Sequence, residues 1–262
     1  MLTVMDKKLV RERFSRALNT YDGNAGVQRK VAEKLCDRVM TCCGGQAGRV
    51  LEIGCGTGCL SRLLFDWIHP EQMWLNDLCA EAEPALNDLL SRGGRFLPGD
   101  AEKISFPDGL DMIVSSSAIQ WFDDLPAFFR KCHEALYPSA DGYLVFSTFG
   151  KDNLAETAFL TGASLRYFSL EELTEMLSPG FEVIYSSEER VMVAFDSPFS
   201  VLRHLKMTGV TGVSGTGLWT RGRLEEFSRR YIELFPVGAV DPSSAVRLTY
   251  HPVYFVCRRK KV

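Results

Sequence analysis

The 262-residue sequence lacks several features that mark special classes of proteins. It has no apolar run near the roughly 18 residues of a membrane-spanning helix. Its first residues carry charges where a signal peptide needs an apolar stretch. Its formal net charge is only −3 at pH 7, so it has no overall attraction to nucleic acid. We therefore expect a cytoplasmic protein whose partners include neither nucleic acid nor a membrane.

Patterns typical of metal sites are missing too. The eight cysteines are spread along the chain, and no C-x-x-C pair is matched by a second pair of cysteines or histidines. Such spacing does not favour zinc, and it does not suggest a disulfide framework. We expect no bound metal. We expect the cysteines to be free thiols, as in a reducing compartment.

What the sequence does contain is a glycine-rich loop after a short apolar run. Residues 52–58 read Glu-Ile-Gly-Cys-Gly-Thr-Gly. Glycine lets the backbone turn sharply and leaves no Cβ between the backbone and a ligand. Residues 60–65 are then expected to form a helix whose N-terminal N–H groups point at the same crevice. The pattern predicts a nucleotide-type pocket at the carboxyl end of a strand.

The spacing of the glycines limits the class of ligand that the loop can bind. A dinucleotide fingerprint reads G-x-G-x-x-G, but Cys59 holds the place of its last glycine here, and no Gly-Lys-Ser/Thr follows. The carboxylate of Glu52 would repel a pyrophosphate and attract an ammonium group. The loop resembles motif I of class I S-adenosylmethionine-dependent methyltransferases. The alternative is a glycine-rich turn that binds nothing.

The order of elements predicts an α/β fold, and the predicted helices include 80–91 and 154–165. Five predicted strands, at 50–53, 72–78, 95–97, 110–116 and 142–149, alternate with helices, which implies parallel strands with right-handed crossovers. The resemblance implies a Rossmann-like, seven-stranded methyltransferase sheet, mostly parallel with an antiparallel last strand. We expect one domain over 1–262, with N-terminal helices in 1–45, a cofactor-binding core in 46–150 and a helical cover insertion in 196–240. The alternative for the insertion is a packing role only.

Three boundaries follow from local patterns. A first helix over 7–19 is expected to break at Tyr21-Asp22-Gly23-Asn24, and a single closing strand is expected over 248–258. A glycine-rich segment, 209–217, is expected to link the two helices of the cover.

Two acids follow predicted strands. Asp77 comes about 20 residues after the glycine loop, where an acid accepts hydrogen bonds from ribose hydroxyls. Asp100 can accept the adenine amino group, while Ala101 offers its backbone N–H to a ring nitrogen. The alternatives are a helix N-cap for Asp77 and a plain turn residue for Asp100.

The segment 115–122 leaves the fourth predicted strand. In methyltransferases this segment lies along the methionine part of the cofactor and faces the acceptor. Small residues such as Ser116 permit close approach, and Gln120 and Trp121 can frame the donor. Trp121 is alternatively a core aromatic. Because methyl transfer from a sulfonium to an ionised acid needs no general base, we expect no catalytic triad.

The chain resembles the malonyl-[acyl-carrier protein] O-methyltransferases of biotin synthesis along nearly its whole length. The matching segments are Arg13 to Ala17 with Tyr21-Asp22 and a following helix with Gln28, Ser-Ala-Ile-Gln-Trp at 117–121, Phe-Ser-Thr-Phe at 146–149, the cover segment 202–210 and Leu-Thr-Tyr at 248–250. The resemblance implies methylation of the free carboxylate of a malonyl thioester, which masks a charge that is costly in apolar elongation pockets. It implies catalytic roles for Tyr21, Gln120 and Trp121, and an S-adenosylmethionine site made of Glu52, Gly54, Gly56, Gly58, Asp77, Leu78, Asp100, Ala101 and Ser116.

Several points stay open. By charge, Arg203 and Lys206 can meet the malonyl carboxylate or an acidic carrier protein, or they form a solvated helix face. The malonyl thioester is expected on acyl carrier protein, and malonyl-coenzyme A is the alternative substrate. Asn76 and His251-Pro252 depart from the family pattern. The alternative functions are a methyltransferase for another small acid or a quinone, and a methyltransferase-like protein that binds the nucleoside without turnover; the glycine spacing disfavours a nicotinamide oxidoreductase.

Overall fold

The computed structural model describes residues 6–137, 141–210, 219–237 and 245–261. Its strands are β1 (Arg49–Ile53), β2 (Gln72–Asp77), β3 (Gly94–Pro98), β4 (Met112–Ser116), β5 (Tyr143–Phe149), β6 (Phe181–Glu188), β7 (Val191–Phe195), β8 (Val246–Tyr250) and β9 (Pro252–Arg259). Its α-helices are α1 (Lys7–Asn24), α2 (Gly26–Cys42), α3 (Cys59–Trp67), α4 (Asn87–Ser91), α5 (Leu125–Ala135), α6 (Ala155–Thr161), α7 (Leu170–Leu177), α8 (Pro198–Met207) and α9 (Arg221–Leu234).

Seven strands form the main sheet in the order β3-β2-β1-β4-β5-β9-β6. Strands β1 to β5 pair in parallel, and β9 runs antiparallel to both β5 and β6. The predicted fold class is therefore confirmed. The order in which successive strands are added to the sheet reverses between β1 and β4, which are themselves parallel. A ligand crevice is expected outside the carboxyl ends of these two strands.

Apolar layers cover both faces of the sheet. Helices α2 and α3 pack on one face around Leu35, Val50 and Leu64, and α5 and α7 pack on the other around Phe128, Phe146 and Leu173. The inner strands are buried on both sides, which is why they read as continuous apolar runs rather than alternating ones.

The segment between β6 and β9 folds as a smaller unit. Strands β7 and β8 form an antiparallel ribbon, and α8 and α9 pack with it around Val201, Phe227 and Tyr231. The C-terminal end of α8 contacts α1, where the Thr20 hydroxyl donates a hydrogen bond to the Met207 carbonyl at 3.1 Å. The expected glycine-rich segment 209–217 lies outside the described residues from position 211 onward.

Two predicted boundaries are wrong. The first helix does not break near Tyr21 but runs to Asn24, because the Asn24 amide donates to the Thr20 carbonyl and the Asp22 carboxylate accepts from the Thr57 hydroxyl. The expected single closing strand is two strands, since β8 pairs with β7 and β9 pairs with β5 and β6. His251 lies at the junction between them.

Two predicted helices are shorter than expected. The helix expected over 80–91 is a 3-10 turn, Ala80–Leu86, followed by α4, and it contains Pro84, which has no N–H to donate. The helix expected over 154–165 is α6, which ends at Gly162 in the left-handed conformation.

Candidate active site

The glycine loop turns away from β1 through glycines in the left-handed conformation, beginning with Gly54 and Gly56. Gly54 has φ 70°, and a Cβ added there would lie 2.3 Å from the Cβ of Ala118. Gly56 has φ 52°, and a Cβ there would meet only open space. Gly54 is therefore required by close packing against the segment after β4, whereas Gly56 exposes its backbone to a cavity.

Gly58 differs from the other two glycines. It has φ 85°, and a Cβ there would lie 2.8 Å from the side chain of Leu89 on α4. The structure thus turns Gly58 toward the packing between α3 and α4 rather than toward the crevice. This close packing accounts for a glycine at position 58, and no contact with a ligand is needed to explain it.

Three cavities open at the crevice, and we name them by position. The β2 cavity lies over the ends of β1, β2 and β3 beneath α1; its lining includes Phe14, Tyr21, Gly54, Gly56, Asp77, Leu78, Asp100, Ala101, Ser116, Ser117 and Trp121. The α2 cavity lies between the glycine loop and α2 and is lined by Tyr21, Gln28, Arg29, Glu52, Gly54, Gly56 and Ser117, among others. The α8 cavity lies beneath the C-terminal end of α8; its lining includes Phe14, Tyr21, Gln28, Ser117, Gln120, Trp121, Asn153, Tyr167, Thr208 and Tyr250.

Asp77 ends β2 at the edge of the β2 cavity. Its two carboxylate oxygens accept backbone N–H bonds from Gly56 at 2.8 Å and Cys79 at 2.7 Å. Burial raises the pKa of Asp77, and the two backbone hydrogen bonds oppose that shift. Because a carboxylate has about four acceptor sites, two remain for the hydroxyls of a ligand.

Asp100 and Ala101 lie on the far side of the same cavity. The Asp100 carboxylate is 3.7 Å from the ammonium groups of Lys7 and Lys103 and accepts the Glu102 N–H at 3.1 Å. Ala101 is buried. Lys7 belongs to α1 and also pairs with Glu102 at 2.6 Å, so this ion pair fastens α1 across the cavity.

Glu52 is a buried acid at the end of the α2 cavity. The Ser61 hydroxyl donates to its carboxylate at 2.5 Å. Burial raises the pKa of Glu52 to about 7, while Ser61 and the more distant charge of Arg62 oppose the shift. No cation among the described residues forms an ion pair with it. A cationic ligand group in the α2 cavity would supply the missing partner.

Tyr21 faces the crevice from the last turn of α1 and lines all three cavities. Burial raises its pKa, with further contributions from Cys59, Asp77 and Asp22. The hydroxyl therefore stays protonated at neutral pH and can donate a hydrogen bond. The helix continues past the predicted break, and this continuation is what carries Tyr21 over the glycine loop.

The predicted residues after β4 lie between the cavities. Ser116 lines the β2 cavity. Gln120 lines the α8 cavity, and its amide donates to the Ser117 carbonyl at 2.6 Å. Trp121 is largely buried but lines the β2 and α8 cavities, with Phe14 in edge contact at 5.4 Å. Both readings of Trp121, as a core aromatic and as a cavity residue, therefore apply.

Arg203 and Lys206 are placed differently from the other predicted site residues. Both side chains are exposed on α8, and the lining of the α8 cavity includes neither. The structure does not bring them to the crevice. Their exposed positions agree with a contact to an acidic carrier protein and equally with a solvated helix face.

Several cavity residues are not identified by the sequence patterns. Gln28 and Tyr250 occur only within matched segments, Ser117 stands beside the predicted Ser116, and Lys7 appears only as a charge near the N-terminus. The helical spacing of Phe14, Leu18 and Tyr21 is the one local signal, but it indicates burial without saying what the face covers. Asn76, which departs from the family pattern, is buried and donates to the Leu97 and Gly99 carbonyls.

Comparison with known proteins decides the family. A family model described as a methyltransferase domain matches residues 27–185. A malonyl-[acyl-carrier protein] O-methyltransferase from Bacteroides thetaiotaomicron is 43% identical over 268 residues, covering 98% of this chain and 100% of the relative. A protein of the same name from Haemophilus influenzae is 38% identical and covers 98% of this chain and 96% of its own. The chain belongs to the malonyl-[acyl-carrier protein] O-methyltransferase family.

Membership of the malonyl-[acyl-carrier protein] O-methyltransferase family makes the chain an S-adenosylmethionine-dependent methyltransferase. Solved structures agree on the fold. An S-adenosylmethionine-dependent methyltransferase from Mesorhizobium loti has a TM-score of 0.54 at 19% identity and covers 87% of this chain and 98% of that one. A 1,6-didemethyltoxoflavin-N1-methyltransferase from Burkholderia thailandensis, solved with S-adenosylhomocysteine bound, has a TM-score of 0.56 at 14% identity and covers 97% of this chain and 88% of that one.

None of the helices in the described part of the chain is both long and apolar enough to cross a membrane. The described residues contain no group of three or more His, Cys, Asp or Glu side chains arranged to hold a metal ion.

Proposed function

We propose that this protein transfers the methyl group of S-adenosylmethionine to the free carboxylate of a malonyl thioester on acyl carrier protein. The product is the malonyl methyl ester that primes the synthesis of pimelate and biotin. The observation that carries the proposal is the meeting of the three cavities at Tyr21 and Ser117, which line all of them. A donor in the first two cavities and an acceptor in the third would therefore have their reactive ends side by side.

The β2 and α2 cavities fit the donor. We assign the two remaining acceptor sites of Asp77 to the ribose hydroxyls, and Asp100 and Ala101, which line the same cavity, to the adenine. Glu52, a buried acid with no ion-pair partner among the described residues, suits the ammonium group. We assign Gly54, Gly56, Leu78 and Ser116 to the same site, while Gly58 supports it through packing. The bound donor supplies a methyl group on a cationic sulfur.

The α8 cavity fits a short acid. Its lining includes Phe14, Trp121 and the half-exposed Gln120, which we assign, with Tyr21, to holding the acceptor against the donor. A carboxylate is ionised at neutral pH and is already a nucleophile. The protein then needs to orient the acid and exclude water rather than remove a proton.

The carrier protein is the acceptor that we favour over coenzyme A. Arg203 and Lys206 are exposed on α8, and Thr208 at the C-terminal end of this helix lines the acceptor cavity. We assign them to the acidic surface of a carrier protein, and the segment 196–240 to a cover over the cavity. All eight cysteines are free, which supports a cytoplasmic location.

The experiment is a transfer assay with tritiated S-adenosylmethionine. Purified protein is offered malonyl-carrier protein, malonyl-coenzyme A, free malonate and acetyl-carrier protein in parallel. We expect label on malonyl-carrier protein first, weaker label on the coenzyme A thioester and none on acetyl-carrier protein, which has no free carboxylate. Binding of S-adenosylhomocysteine without transfer to any of these acids would overturn the proposal.

A further inference from the structure

The junction of the three cavities concentrates polar atoms that have no partner. Gln28 Oε1 and Ser117 Oγ are buried without a hydrogen-bond partner. The Tyr21 hydroxyl beside them is on a partly buried side chain and makes no hydrogen bond to the described residues. A buried polar atom left unpaired costs stability, so such atoms in one place point to a ligand. Tyr21 and Ser117 line all three cavities, and Gln28 lines the α2 and α8 cavities.

The other polar side chains around the α8 cavity are already engaged. The Gln120 amide donates to the Ser117 carbonyl at 2.6 Å, and the Tyr250 hydroxyl is 2.6 Å from Nε2 of His204. The unpaired groups are therefore concentrated at the junction rather than scattered over the cavity wall.

Ser117 is held at this place against its backbone preference. Its φ is 54°, in the left-handed region that non-glycine residues avoid, and its N–H donates to the Ser147 carbonyl at 3.1 Å. Strained backbone of this kind persists where the surrounding structure fixes it, and it is concentrated at functional sites.

The described lining of the α8 cavity contains no charged side chain. In the proposed transfer the carboxylate oxygen forms a bond to the methyl carbon while the carbon–sulfur bond breaks and its electron pair stays on sulfur. A negative and a positive charge both disappear, and no proton moves.

Because charge is lost during the transfer, the charge of the side chains beside the acid affects the reaction rate. A cation would stabilise the ionised acid more than the transition state, in which its charge is already falling, and would slow the transfer. Uncharged donors orient the acid at a smaller cost to its reactivity.

We propose that Tyr21, Gln28 and Ser117 form an uncharged cradle that holds the acceptor carboxylate at the donor methyl group. The hydroxyls of Tyr21 and Ser117 and the amide of Gln28 donate to it, and a half-turn of the Gln28 amide exchanges its oxygen and nitrogen without changing its shape. The cradle rests on the proposed function, and it assigns Gln28 and Ser117 to acceptor recognition.

The test compares Gln28→Glu with the wild-type enzyme. The substitution keeps the shape of the side chain but adds a negative charge, so it should repel the acceptor carboxylate and leave the cationic donor bound. We expect KM for malonyl-carrier protein to rise at least tenfold, and the calorimetric Kd for S-adenosylhomocysteine to stay within twofold. Gln46→Glu is the control, since it makes the same charge change at an exposed position before β1.

Two smaller changes test the hydroxyls. Ser117→Ala and Tyr21→Phe should each lower kcat/KM for malonyl-carrier protein about fivefold, as expected for one lost hydrogen bond, with the S-adenosylhomocysteine Kd unchanged. An unchanged KM in Gln28→Glu, or a tenfold weaker S-adenosylhomocysteine Kd in that variant, overturns the cradle. Wild-type turnover on malonyl-carrier protein is measured first, because its absence would refute the proposed function instead.

Discussion

Replacing Asp77 by alanine is the substitution whose effect the structure defines best. The carboxylate accepts two backbone N–H bonds, from Gly56 and Cys79, and keeps two acceptor sites facing the β2 cavity. A hydrogen bond to a charged group contributes about 1.5–3 kcal/mol. Losing one ribose contact should therefore weaken donor binding about 10- to 150-fold, and losing two sets an upper limit near 6 kcal/mol.

Calorimetry with S-adenosylhomocysteine measures the effect directly. Asp77→Asn keeps one carboxamide oxygen as an acceptor and should fall between the wild type and Asp77→Ala. Asp66→Ala is a matched control, because Asp66 is an exposed acid that pairs with Arg92 at 2.6 Å. A Kd within twofold of wild type for a folded Asp77→Ala protein would refute the assignment of the β2 cavity to the nucleoside.

Three further substitutions test separate parts of the site. Glu52→Gln should weaken S-adenosylhomocysteine binding by calorimetry. Because the pKa of Glu52 is raised to about 7, the folded state loses stability as the pH rises from about 4.5 to 7. Glu52→Gln should therefore have a higher Tm than the donor-free wild type at pH 8. An equal Tm would contradict the interpretation of Glu52 as a buried acid without an ion-pair partner. Gly54→Ala should abolish donor binding, since its Cβ would lie 2.3 Å from that of Ala118, while Gly222→Ala, which meets nothing within 4 Å, should bind normally. Arg203→Ala with Lys206→Ala should raise KM for malonyl-carrier protein, most at low salt, and leave KM for malonyl-coenzyme A unchanged. Equal effects on both KM values would refute the proposed contact with the carrier protein.

The sequence predicts those parts of the site that depend on neighbours along the chain. The glycine loop, the acid at the end of β1 and Asp77 at the end of β2 follow from strand and turn chemistry that acts within a few residues. The parallel core follows because each strand is a short apolar run followed by a helix. These features need no knowledge of which strand pairs with which.

The rest depends on contacts between distant segments. The residues around Tyr21 read as a helix break, but Asp22 accepts a hydrogen bond from Thr57, 35 residues away, and the helix continues. Residues 248–258 read as one strand, because the pattern does not show that β8 pairs with β7 in a separate ribbon. Gln28 carries no local signal, since what distinguishes it is a buried side-chain oxygen without a hydrogen-bond partner, which only the folded structure reveals.

The most direct test is the mass of the carrier protein after incubation with the enzyme and S-adenosylmethionine. Malonyl-carrier protein should gain one methyl group in place of a proton, and mild esterase treatment should remove it, because the linkage is a carboxyl ester. An unchanged carrier mass, from protein that binds S-adenosylhomocysteine, would contradict the account.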